Sequence, residues 1–144
     1  MLPEKLSTDI TSLDPGVDRL SMVVEMTVSP EGLVVASDIY RAMVHNYAKL
    51  AYNSVAAWLE GTGEIPEPIT KVPGLEKNIR TQNDVAQRLK KQRALRGSLD
   101  FETIQTKPVF EGEKLVALEV ERQNTSKSII EEFMVASNGV TARF

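Results

Sequence analysis

Two adjacent glutamates, Glu131 and Glu132, sit within the stretch TSKSIIEEFMVASNGVTARF that runs from Thr125 to Phe144. A carboxylate can accept hydrogen bonds, hold a hard cation or move a proton, and its surroundings select among these. Neighbouring residues on a helix point about 100° apart. Glu131 and Glu132 therefore cannot serve one substrate as an acid–base pair. A hard divalent cation needs several converging oxygens, yet Asp9, Asp14, Asp18, Asp38, Asp84 and Asp100 are dispersed, with no two adjacent. Zero cysteines exclude a thiolate nucleophile, a cysteine zinc site and a disulfide framework, and one histidine, His45, excludes a histidine cluster from this chain. His45 is read as a surface or strand-end histidine.

The element that carries the two glutamates is read as one helix, Thr125–Phe144, apolar almost all the way round. With Glu131 at 0°, Ile129, Ile130, Phe133, Met134, Val140 and Phe144 fall between roughly 160° and 300°. Val135 and Ala142 fall near about 20–40°, and Asn138 about 20° from Glu131. Glu131 and Asn138 are then flanked by apolar residues on both sides, and Glu132, Gly139 and Arg143 form the water-facing strip. A buried carboxylate needs a partner or a task. Two readings of Glu131 stand side by side. It can close a Ser128-x-x-Glu131 capping box, with Asn124, Thr125 and Ser126 as competing caps upstream, or it can act on a ligand. Asn138 is read as structural near the site, bonding a backbone group inside the core.

The remaining elements form an α+β pattern of two antiparallel hairpins and three main helices around one core. A short helix can form at Glu4–Leu13, and Asp14-Pro15-Gly16 signals a turn. Leu20, Met22, Val24, Met26 and Val28 alternate along Arg19–Ser29, a half-buried strand, and Pro30-Glu31-Gly32 turns it into a partner strand from Leu33 to about Tyr47. Ala48–Glu60 is a helix with Tyr52, Val55, Ala56 and Leu59 on one stripe and Gly61 after its end. On pattern alone, Tyr52 reads as a core tyrosine whose hydroxyl wants a partner. Thr62–Pro73, rich in proline, reads as a loop. Gly74–Arg96 is a long helix with Leu75, Ile79, Gln82, Ala86 and Leu89 on one side. Lys107–Phe110 and Lys114–Val120 flank Glu111-Gly112-Glu113 as the second hairpin.

With 144 residues there is room for one core, and 42% hydrophobic and 26% charged residues are ordinary for a globular chain. No run of about 18 apolar residues predicts a membrane span, and MLPEKLSTDI lacks the apolar centre of a secretory signal, so a cytoplasmic location is expected. The net charge is −3, but from Glu76 to Arg96 seven basic side chains oppose two acidic ones. That helix could follow an RNA backbone. Its charges are spread around the helix, which favours a solvated surface.

The chain resembles the ribonuclease II/ribonuclease R family, and the motifs occur in family order over nearly its whole length. IIEEFMVASNGVTARF is similar to the family's (I/V)EE-F/A-M-x-x-A-N helix. MLPEKLSTDITSL is similar to M-L-P-x-x-L-S-x-x-x-C/T-S-L. KLAY (Lys49–Tyr52), then Val55 and Trp58-Leu59-Glu60, are similar to K-L-x-Y-x-x-V-x-x-W-L-E. SLDF (Ser98–Phe101) occupies the place of a short apolar strand. The resemblance implies a 3′-to-5′ exoribonuclease that hydrolyses single-stranded RNA from its 3′ end with Mg²⁺ held by a D-x5-D-x-D-D cluster. That cluster is expected upstream of Met1, and an arginine-bearing signature downstream of Phe144. Residues 1–144 are then expected to be the central segment of the catalytic domain, truncated at both ends, with no catalytic residue and no metal ligand of its own. The resemblance also implies that Tyr52 and Glu131 contact the sugars near the RNA 3′ end. A carboxylate can accept from the ribose 2′-OH that DNA lacks, so RNA is the expected partner, without a preference for DNA and without a membrane. The alternative is a non-catalytic RNA-binding or protein-interaction module on the same scaffold.

Overall fold

Alternation of apolar and polar residues gives β1, Asp18–Val28, which pairs with β2, Val34–His45, in an antiparallel hairpin with Val24 opposite Ile39 and a register shift at Thr27/Val28. The computed structural model describes residue 3 and residues 6–98, 105–111, 114–121 and 123–144. The hairpin turn closes through Ser29, whose N–H donates to the Leu33 carbonyl at 2.8 Å and whose carbonyl accepts from Gly32 at 2.9 Å. Val24, Met26 and Val28 are half-buried beside the helices, whereas Leu20 and Met22 run past them and are exposed. The half-buried strand read from the sequence thus holds for the turn-proximal part. A single wide helical turn, Leu6–Ile10, precedes the hairpin.

Helix α1 spans Tyr52–Leu59, shorter at its start than the predicted Ala48–Glu60. The Asn46 side chain explains the difference. Its amide donates to the Leu13 carbonyl at 2.8 Å and its oxygen accepts from the Ala48 N–H at 3.1 Å, which pins this stretch outside the helix. Gly61, with φ 74°, ends α1 as expected.

The proline-rich stretch read as a loop contains a short helix, α2, Glu67–Lys71. Pro66 and Pro68 lie at its start, where the missing N–H groups cost nothing, and Ile69 plugs the core at 1% exposure. Helix α3, Leu75–Leu95, buries Ile79, Ala86 and Leu89, the stripe read from its periodicity. Val55, Trp58, Ile69 and Ile79 form the centre of the core, flanked by Leu50, Leu59, Ile65 and Leu75. The second hairpin pairs β3, Gln105–Glu111, with β4, Lys114–Glu121. The SLDF strand beyond Ser98, the Gly112-Glu113 turn and part of the Glu4–Leu13 helix lie outside the described residues. Helix α4, Thr125–Thr141, packs on α1 and α3. Among the described residues, no helix is long and apolar enough to cross a membrane.

Candidate functional site

The start of α4 is fixed by Asn124, whose side-chain oxygen accepts from the Lys127 N–H at 3.0 Å. Ser128 is consequently inside the helix, and the capping-box reading of Glu131 does not hold. Three further bonds tie this helix start to both ends of α1. The Asn124 amide donates to Asn53 Oδ1 at 3.2 Å, and Glu60 accepts from Thr125. Tyr52 and Glu131 are thereby carried on helices braced against each other.

The burial of the two glutamates is the reverse of the sequence reading. Glu132 is 3% exposed, whereas the side chain of Glu131 is 46% exposed. The interior face of α4 runs through Ser126, Ile129, Glu132 and Val140. On the same wheel those residues lie between about 100° and 220°, so the buried face is rotated from the stripe read in the sequence: it takes in Glu132 and leaves Ile130 and Met134 exposed. The reason is electrostatic. Arg93 of α3 reaches Glu132 with Nη2 at 2.6 Å from Oε1 and Nε at 3.3 Å from Oε2. This two-point pairing offsets the desolvation of the carboxylate. The Arg93 Nη1 also donates to Ser98 Oγ at 3.3 Å. The sequence reading counted Arg93 only among the seven basic side chains of a solvated helix, although it follows Ala86 and Leu89 on the buried stripe of α3 at seven and four residues, the spacing that marks an inward position.

Glu131 faces outward. Its Oε2 accepts from Gln123 Nε2 at 2.7 Å, and its Oε1 is 4.0 Å from Arg93 Nη2, too far for a hydrogen bond. Oε1 keeps its capacity to accept. Asn138, expected in the core, is exposed on the same face as Glu131 two turns on. The apolar residues that seemed to enclose both, Ile130, Met134 and Val135, are themselves 46%, 57% and 42% exposed. Tyr52, the first residue of α1, is 51% exposed and not a core tyrosine. It borders a pocket of about 210 Å³ shared with Ser126, Ile129 and Ile130 of α4. The Ser126 hydroxyl in that lining is buried with no hydrogen-bond partner among the described residues.

On the other side of α4 lies a cleft of about 610 Å³ between α3, α4 and the start of β2, lined by Arg93, Arg96, Arg143 and Glu132 among others. Among its described lining residues, three guanidinium groups stand against one carboxylate, and Arg93 is paired with that carboxylate. The rest of the basic helix is partly paired, by Glu76–Arg80 at 3.2 Å and Asp84–Arg88 at 2.5 Å, in keeping with a solvated surface. His45 pairs with Asp18 at 2.6 Å across the open end of the hairpin, the strand-end place expected. Among the described residues, no group of three or more acidic or histidine side chains could hold a metal ion.

Comparison with known proteins places these observations. The RNB domain family model matches residues 1–144. Ribonuclease R of Vibrio parahaemolyticus is 38% identical over 143 residues, 99% of this chain and 17% of that protein. Ribonuclease R of Escherichia coli K12 is 36% identical over 145 residues, all of this chain and 18% of that protein. Among solved structures, Mycoplasma genitalium RNase R in complex with ribose-methylated single-stranded RNA shares the fold with a TM-score of 0.83 at 23% identity, covering 95% of this chain and 21% of that one. The same protein has also been solved with double-stranded RNA. The chain spans about a fifth of the length of these relatives. Matched along its whole length and alike in fold, the chain belongs to the RNB domain family.

Proposed function

We propose that this chain is the central segment of a 3′-to-5′ exoribonuclease domain that hydrolyses single-stranded RNA with a divalent metal, Mg²⁺ in the parent enzyme. In this reading Tyr52 and Glu131 recognise ribose near the RNA 3′ end, while metal ligands and catalytic groups lie elsewhere in the parent protein. The observation that carries the proposal is the open placement of both side chains on braced helices, with Glu131 Oε1 available to accept. A carboxylate accepts from a ribose 2′-OH and finds no donor on deoxyribose, so it discriminates RNA from DNA without moving a proton. The Tyr52 phenol supplies a donor and a flat face for the sugar. Family membership and relatives solved with RNA support the partner. The isolated chain is then an RNA reader with no hydrolysis of its own, and the parent acts in the cytoplasm.

Fluorescence anisotropy with RNA and DNA oligonucleotides of one sequence, across a salt series, tests this. RNA should bind more tightly, with affinity falling as salt rises. Tyr52→Phe and Glu131→Ala should each bring the RNA and DNA affinities together. Wild-type RNA preference in both variants would overturn the ribose reading. Stepwise shortening of labelled RNA in Mg²⁺ by the stringently purified chain would overturn the assignment of catalysis to other parts of the parent.

A further inference from the structure

Glu131 can read a 2′-OH only if its carboxylate is held in place and its acceptor is not consumed by a nearby cation. Both conditions meet at Arg93. Its guanidinium is 2.6 Å from Glu132 Oε1 and 4.0 Å from Glu131 Oε1, with the same Nη2 nitrogen nearest to each. One cation therefore stands between two adjacent carboxylates. The inner one takes it in a two-point pair, and the outer one is left just beyond hydrogen-bond reach. The inner pair also fixes the rotation of α4 on α3, because Glu132 is 3% exposed and cannot swing out without abandoning a buried charge. Adjacent residues are about 100° apart on a helix, so pinning Glu132 inward sets the direction of Glu131. Gln123 then completes the setting from outside, at 2.7 Å from Oε2.

We propose that Arg93 and Glu132 are positioning residues for Glu131: the buried pair sets the outward angle of Glu131 and withholds the guanidinium from it, which leaves Oε1 as a selective acceptor for the ribose. This rests on the ribose reading of Glu131 given above. Glu132 in this account touches no substrate. Its carboxylate serves as the internal counter-ion that keeps Arg93 from neutralising its neighbour.

The test uses the full chain in three forms: wild type, Glu132→Gln, and Arg93→Met combined with Glu132→Met. The glutamine keeps the shape but loosens the hold on Arg93, and the double methionine replaces the pair by apolar volume without stranding a charge. Two readouts are taken. The side-chain amide resonances of Gln123 report where the Glu131 carboxylate lies, with no ligand needed. Anisotropy reports the ratio of affinities for an RNA oligonucleotide and its all-deoxy counterpart. In both variants the Gln123 resonances should move and the ratio should fall about tenfold, the scale of a lost hydrogen bond to a charged group. Gln123 resonances at their wild-type positions in a folded variant would overturn the positioning role, whatever the RNA does. If one variant fails to fold, the other decides. A wild-type chain that does not distinguish RNA from DNA, or a Glu131→Ala chain that still does, would defeat the ribose reading. The Gln123 resonances would then still judge whether the pair sets Glu131.

Discussion

Glu60, just past the end of α1, accepts from both the hydroxyl and the backbone N–H of Thr125, the first residue of α4, at 2.5 and 3.2 Å. A carboxylate at a helix N-terminus meets unpaired N–H groups and the positive end of the helix dipole. The Thr125 hydroxyl first, and then its N–H, hold the Glu60 pKa below the ordinary glutamate value. Glu60 thus caps the end of α1 with its backbone N–H, holds the first residue of α4 with its side chain, and joins the helix of Tyr52 to that of Glu131.

The lowered pKa has a definite sign. Stability from this contact is fully present above the ordinary carboxylate range and is lost as pH falls through the lowered value. Melting temperatures of wild type and Glu60→Gln, compared from about pH 7 down to about pH 3, should differ most at the upper end and converge in acid. Parallel curves would mean that the ionised form of Glu60 contributes nothing.

Gly32, in the turn of the first hairpin, lies against the backbone of α3 at Arg88. It has φ 86°, and a methyl group built on it would lie 2.4 Å from the Arg88 carbonyl oxygen. Gly61 has a similar φ of 74° with nothing within 4 Å. Gly61→Ala should cost about 1 kcal/mol, the backbone strain alone. Gly32→Ala should cost clearly more, upward of about 2 kcal/mol, since backbone must move as well. Urea denaturation of both variants measures the difference, and equal losses would show that the hairpin turn yields freely.

Ile69 should be the most sensitive aliphatic position of the short helix α2. At 1% exposure it packs into the core with Val55, Trp58 and Ile79. Ile69→Ala should destabilise by about 2–5 kcal/mol through lost burial and the cavity left behind. A loss under about 1 kcal/mol would place α2 outside the cooperative core.

Arg80 lies over Trp58, with its guanidinium carbon 4.6 Å from the ring centroid. Such a contact on a partly exposed arginine contributes about 0.5–1 kcal/mol. Trp58 is the only tryptophan in the chain, so its emission reports this contact directly. Arg80→Ala should shift the emission maximum and lower stability by that amount. An unchanged spectrum would show that the guanidinium does not dwell over the ring.

The sequence was read well where a residue's environment comes from its own element. The alternation of β1 near its turn, the Ile79–Ala86–Leu89 stripe and the glycine stop at Gly61 are local patterns, and the structure repeats them. Misreadings occurred where another element supplies the partner. Glu132 looked solvated because its counter-ion, Arg93, is 39 residues away. Glu131, Asn138 and Tyr52 looked enclosed because apolar neighbours on a helix were taken as buried, yet Ile130 and Met134 are open. Helix α2 was hidden by prolines that break a helix interior but suit its first turn. The resemblance of Tyr52 and Glu131 to family positions depended on motif, not on burial, so it survived these errors as a proposal.

The bonds that brace α4 span long stretches of chain: 65 residues between Glu60 and Thr125, 71 between Asn53 and Asn124, and 39 between Arg93 and Glu132. The β1–β2 hairpin, by contrast, closes across a short turn. Local contacts form in microseconds, whereas distant ones wait on chain closure. As the chain leaves the ribosome from its N-terminus, the hairpin, α1 and α3 can assemble while the partner of Arg93 has yet to be made. The face bearing Tyr52 and Glu131 is therefore completed only when α4 docks and Glu132 reaches Arg93.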